Sequence, residues 1–244
     1  MLQGLFNYDN PVWRFIGKLG DLILLNILWI VCSIPIVTAG ASTTAVYYVT
    51  LKLVRDENDS TIKNFFHSFK ENFKQSTIIW LLLMAAGTLL AFDFWFFLTG
   101  QMHSLTGTPK LLMTAVFGGL LLVYLFIATY AFALQSRFYN PVKRTLFNAF
   151  FMSVRHLLQT IGIIAIDVIV AALSYFGLYF LPQVAMLLVL FGFPLIAFIN
   201  SYFFTSIFQK YMPKEEEHKE HDIVPLLDDE DKDVEEAINH LKGK

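Results

Sequence analysis

Cysteine is almost missing from this chain. Cys32 is the only one in 244 residues, which excludes an internal disulfide framework and a thiolate metal site. Charge is scarce as well: 16% of residues are charged, where a soluble domain would carry roughly a quarter. Signatures of common chemistries are missing too. There is no glycine-rich phosphate loop, His-Glu-x-x-His, Cys-x-x-Cys or nucleophile elbow, each of which supplies a specific anion cradle, metal ligand set or activated hydroxyl. No Ser/His combination stands out within the apolar segments, so the sequence reads as a non-enzyme without cofactor or metal. Nucleic acid is not an expected partner, because the cations sit beside apolar runs, where anionic lipid accounts for them.

What is present is apolar. Hydrophobic residues make up 56% of the chain, and the mean hydropathy is +0.55. A hydrocarbon core about 30 Å thick takes about 20 apolar residues per crossing. Six segments are read as spans: 19–37, 41–54, 77–98, 111–134, 157–181 and 184–208. The second is short and rich in Ser, Thr and Tyr. The first is expected to be retained rather than cleaved, since no small-residue cleavage pattern follows it. The predicted fold is all-α, a polytopic transmembrane helix bundle of about six spans with two cytoplasmic amphipathic elbow helices.

Basic residues orient it. Arg14 and Lys18 precede the first span; Lys52, Arg55, Lys63, Lys70 and Lys74 lie between the second and third. Arg137, Lys143, Arg144 and Arg155 lie between the fourth and fifth, and Lys210 and Lys214 follow the sixth. The opposite connectors hold Lys110 alone. Cations stay on the cytoplasmic side, so the expectation is a multi-pass protein of the cell membrane with both termini cytoplasmic.

The two large basic connectors have matching patterns. Phe65, Phe66, Phe69 and Phe73 recur at helical spacing beside Lys63, Lys70 and Lys74, with Asp59 or Ser60 as the expected N-cap. Phe147, Phe150 and Phe151 follow Asn140-Pro141 beside Lys143 and Arg144. Such helices are expected to lie in the interface, rings among acyl chains and cations among phosphates. An offset of 81 superposes the patterns (Phe66 on Phe147, Lys63 on Arg144), consistent with an internal repeat of 41–98 in 111–181 or with two unrelated interfacial helices.

Between the first two spans, Pro35 and Gly40 break the helix and Ser42, Thr43 and Thr44 follow. Two readings stand: a tight hairpin packed through small residues, or a broken helix beside a polar pocket lined by those three hydroxyls. The stretches Gly20-Asp21-Leu22, Cys32-Ser33-Ile34-Pro35-Ile36-Val37-Thr38, Gly40-Ala41-Ser42-Thr43-Thr44-Ala45 and Tyr47-Tyr48 resemble the opening signature of the YesL-like bacterial membrane proteins. Lys52-Leu53-Val54-Arg55-Asp56-Glu57 fits the same family. The resemblance implies a membrane protein of unassigned activity, encoded in Gram-positive bacteria beside carbohydrate-uptake and glycan-degradation genes, and it brings no site residues with it.

Three carboxylates fall in or near spans. Asp21 is spaced to pair with Lys18 and is expected in that ion pair or at the interface. Asp93 lies in the outward third of the third span, and Asp167 ten residues into the fifth. An acid at a helix centre costs about 2.5–3.5 kcal/mol on insertion scales, which makes Asp167 and Asp93 the candidate ligand or proton sites. Asn26, Gln135 and Asn200 read as interhelical hydrogen-bond partners. Beyond 213 the chain carries 12 acidic and 5 basic residues and reads as a largely disordered acidic tail with a short helix over 231–242. His103 has no second ligand nearby, and His218 and His221 sit in a solvated charge run. Two functions fit: an accessory or regulatory subunit of a carbohydrate uptake or sensing system, with the bilayer and another membrane or cytoplasmic protein as partners, or a small secondary transporter using the intramembrane carboxylates.

Overall fold

The computed structural model describes residues 11–99, 107–180 and 183–212, and the chain divides into two compact units, Met1–Phe208 and Gln209–Lys244. Among the described residues every element is helical: α1 (Pro11–Ser33), a 3-10 turn (Ile36–Thr38), α2 (Ala39–Val54), α3 (Thr61–Thr99), α4 (Thr108–Arg137), α5 (Val142–Arg155), α6 (Leu157–Phe180) and α7 (Gln183–Phe208). Five of them, α1, α3, α4, α6 and α7, contain a stretch long and apolar enough to cross a membrane. The short second segment, α2, is not among them. The tail helix expected over 231–242, His103, His218 and His221 lie outside the described residues.

The first unit is built inside out relative to a soluble protein. Its outer surface exposes Leu111, Leu112 and Val116 of α4, Val168 and Phe176 of α6, and Leu158, which is 88% exposed. Water would penalise so large an apolar patch. The interior is held by small and polar side chains: Thr44 pairs with Ser76 at 2.8 Å, Thr50 with Ser201 at 2.8 Å, and Tyr130 with Thr160 at 2.9 Å. Since lipid tails are as apolar as leucine, helix association relies on close packing and such bonds. Gly40 shows the packing limit. A Cβ there would stand 2.4 Å from the Ser76 carbonyl oxygen, so only glycine lets α2 and α3 approach this closely.

Two expected features differ. Residues 61–76 do not form a separate elbow; they are the first part of α3, whose 39 residues run unbroken to Thr99. No proline or glycine interrupts this stretch until Gly87, so nothing in the backbone forces a bend. The second elbow does stand alone as α5, bounded by Phe138–Pro141 and by His156. The two proposed repeat copies are therefore built differently, one with its cationic segment fused to the following helix and one with it separate.

The other difference concerns Asp21 and Lys18. Asp21 accepts a 2.6 Å bond from Thr61 Oγ1, while Lys18 and Arg14 both pair with Asp56, at 2.8 and 2.6 Å. Asp56 sits at φ 58° just beyond α2, a left-handed position that ends a helix and that Asp tolerates better than most residues. The Glu57 amide then returns to the Lys52 carbonyl at 2.9 Å. The acidic turn thereby becomes the anchor for the start of α1, which outcompetes the i, i+3 pairing read from sequence. Lys18 and Arg14, bonded to its oxygens, hold the Asp56 carboxyl below the usual carboxylate range.

Candidate functional site

Asp167 meets its partner across the α6–α7 interface, where its Oδ1 accepts from Asn200 Nδ2 at 2.8 Å. Asn200 is fully buried, and its own Oδ1 is among the described buried atoms without a hydrogen-bond partner. The Tyr47 side chain of α2 lies near the Asn200 amide and the Asp167 carboxyl. The Tyr47 ring is fixed edge-on to Phe193 at 5.8 Å and Phe204 at 5.7 Å. One carboxyl, one amide and one phenol from three helices thus share a largely dehydrated site, next to the Thr50–Ser201 pair.

α7 is discontinuous nearby. Gly192 has φ 37° and ψ −135°, open to glycine at little cost, and Pro194 removes a backbone donor two residues on. The carbonyls freed by such a break need partners from elsewhere. Asn26 of α1 does this, donating from Nδ2 to the Val189 carbonyl at 2.7 Å. Its Oδ1, buried and without a partner among the described atoms, lies where a Gly192 Cβ would come within 2.6 Å. An apolar cavity of about 300 Å³ opens at this break between α6 and α7, lined by Val170, Leu187, Phe191, Gly192 and Ile199. Trp29 of α1 stacks on Phe193, the residue after the break, at 5.2 Å.

Of the two readings of the turn after α1, the structure forms the tight hairpin. Thr38 Oγ1 bonds the Cys32 carbonyl at 2.6 Å, and Trp80 Nε1 donates to the Ile36 carbonyl at 2.8 Å. The three hydroxyls expected to line a pocket are used in packing. Ser42 donates to the Thr38 carbonyl, Thr43 accepts from Trp29 Nε1 at 3.3 Å, and Thr44 bonds Gly40 and Ser76.

Asp93 stands apart from Asp167. It is half-buried near the far end of α3, a helix that packs on α2 and α4, whereas α6 packs mainly on α7. The structure does not bring the two carboxylates into one site. The elbow residues divide as well. Phe147 and Phe151 are exposed on α5, their rings tilted with centroids 4.3 Å apart, with Lys143 and Arg144 exposed beside them and Phe150 half-buried. Phe66 and Phe73 are exposed on α3 with Lys63, Lys70 and Lys74, but Phe65 is fully buried and Phe69 half-buried. Phe65 belongs to the core because α2 lies against that face. Among the described residues no group of three or more His, Cys, Asp and Glu is placed to hold a metal ion.

Residues 22–94 match a family described as a protein of unknown function, DUF624. The matched stretch runs from within α1 through the hairpin and most of α3, so it takes in Asn26, Gly40, Tyr47 and Asp56 but stops short of α6 and α7. No curated protein and no solved structure is significantly similar to the chain. Sequence reasoning singled out Asp167, Asn26 and Asn200 but missed Tyr47 as their neighbour and the break in α7. The signal for the break was present in Gly192-Phe193-Pro194, a helix-breaking pair inside an apolar run.

Proposed function

We propose that this chain is an integral membrane protein acting as an accessory or regulatory subunit. The carrying observation is that its intramembrane polar groups are largely bonded to one another: Asp167 to Asn200, Thr50 to Ser201, Tyr130 to Thr160. α5, by contrast, presents an unmatched aromatic and cationic face at the side that the basic connectors assign to the cytoplasm. The link to carbohydrate uptake or sensing rests on the resemblance of the opening segment to YesL-like proteins. Purification from native membranes in mild detergent tests the reading. A stoichiometric membrane partner that is lost with Phe147→Ser/Phe151→Ser supports it, and recovery of the chain alone refutes it.

The topology that fits is four crossings plus a re-entrant hairpin of α1 and α2. The tip, Ile34-Pro35-Ile36-Val37, is apolar and exposed, with Ile34 at 74% and Ile36 at 70%. It is fastened to Trp80, nineteen residues before the end of α3, or about 28 Å along the helix axis. On α7 the contact with Phe193, ten residues in from Gln183 or about 15 Å, is made by Trp29, short of the tip. α3 continues well past the tip, so in this reading the tip ends inside the bilayer, and the parity of the termini is unchanged. In a Cys32→Ser background, Ile36→Cys should resist a membrane-impermeant maleimide from either side, while Thr108→Cys labels from outside. Labelling of position 36 from outside would return α1 and α2 to full spans.

A second reading, a small secondary transporter, is favoured by one feature: the discontinuous α7 beside two buried amide oxygens lacking partners, a construction that suits ion or substrate sites. Proteoliposome transport abolished by Asp167→Asn would support it, and transport indifferent to that change would eliminate the site.

A further inference from the structure

A second concave site lies at the base of the hairpin, on the face opposite the tip. Its cavity measures about 550 Å³; Lys52, Asp59, Lys63, Asn64, His67 and Lys70 line it, together with Tyr48, Ile62 and Phe66. On α3 the spacing of Lys63, His67 and Lys70 is i, i+4 and i+7, which stacks them along one helix face. Lys52 approaches from α2.

This arrangement is pre-set for an anion. Lys52 Nζ sits 5.0 Å from the Tyr48 ring centroid and donates to Asn64 Oδ1 at 3.2 Å. An ammonium has three donors, so two remain for a ligand. Asn64 is itself held, since its Nδ2 donates to Asn58 Oδ1 and Asp59 Oδ1 at 2.8 Å each. The acid in the lining, Asp59, accepts from that amide and from backbone N–H groups, which hold its carboxyl below the usual range. His67 lies 3.3 Å from Glu71. Three lysines against one engaged carboxylate leave the cleft cationic, and compact ammonium groups suit a tetrahedral anion approached from several sides.

We infer that this cleft binds a phosphate ester, either the headgroup of an anionic lipid or a free phosphorylated molecule. The exposed Ile62 and Phe66 beside the lysines match an amphiphile, whose chain would run along the aromatic margin.

Native mass spectrometry of the full chain released from detergent, offered equimolar phosphatidylglycerol and phosphatidylcholine, tests the site. At about fivefold per lysine, three lysines predict a preference for one retained phosphatidylglycerol on the order of a hundredfold. Lys63→Gln/Lys70→Gln should lower it about 25-fold, Lys63→Arg/Lys70→Arg should keep it, and Lys143→Gln/Arg144→Gln on α5 should leave it unchanged. Soluble glycerol phosphate is then added. Binding or displacement of the lipid by it assigns a free phosphate ester; undisturbed lipid selectivity assigns the headgroup. Equal retention of both lipids with no glycerol phosphate bound overturns the site, as does selectivity indifferent to Lys63→Gln/Lys70→Gln. The maleimide result at position 36 is read separately, so topology and phosphate binding can fail independently.

Discussion

Replacing Gln135 by leucine should be the most costly single polar deletion in the bundle. Gln135 is buried on α4 and joins three helices. Its Nε2 donates to Gln75 Oε1 at 2.6 Å and to Asn72 Oδ1 at 3.2 Å, both on α3, while its Oε1 accepts from Thr145 Oγ1 of α5 at 2.8 Å. Leucine keeps most of the volume, so the packing change is small. At about 0.6 kcal/mol per interhelical bond, three bonds amount to about 2 kcal/mol. Gln75 is half-exposed and Thr145 keeps a weak bond to the Pro141 carbonyl. Asn72 Oδ1 is stranded, and a buried unsatisfied acceptor costs about 1–3 kcal/mol, which sets the upper limit near 3 kcal/mol. The assay is detergent-driven unfolding in mixed micelles followed by far-UV circular dichroism. The unfolding constant should rise about 30-fold. Thr50→Val, which removes one interhelical bond to Ser201, is the reference at about 0.6 kcal/mol. A Gln135→Leu protein no less stable than Thr50→Val would refute the idea that this residue fastens α5 to the bundle.

Gly192→Ala should destabilise by at least about 2 kcal/mol, because it combines a left-handed backbone position with a 2.6 Å contact to Asn26 Oδ1. Adding Asn26→Ala relieves the contact but not the backbone strain, so only partial recovery in the same unfolding assay is expected. Asp56→Asn keeps a residue that tolerates positive φ and removes the charge that Arg14 and Lys18 bind. The folded carboxyl lies below its ordinary value, so its contribution is present above about pH 4 and lost as pH falls through the folded value. With Asp56 about half exposed, the difference between the two proteins should be under about 1 kcal/mol at neutral pH and should vanish in acid. A gap that widens in acid would reverse the assignment.

Hydropathy recovers the helical class and most helix positions because each crossing must satisfy its own backbone bonds, a constraint that acts residue by residue. Asp167 is conspicuous for the same reason: an acid in an apolar run is costly wherever the run ends up. Its partner was not legible, because Asn200 lies 33 residues away and sequence spacing is uninformative across helices. Local pairing rules misled at Lys18, where the i, i+3 carboxylate lost to a turn residue held by the fold. They misled again at Phe65, whose periodicity marked a ring face without saying whether lipid or α2 would cover it.

The sequence alone determined where apolar surface and cations lie along the chain, since transfer into lipid and charge placement are additive properties of residues. Tertiary structure alone decided that residues 61–76 continue into α3, that α7 breaks at Gly192 beside Asn26, and that Tyr47, Asp167 and Asn200 meet. Those outcomes depend on which helix faces approach closely enough to exchange hydrogen bonds, and that choice is made by packing among segments far apart in the chain.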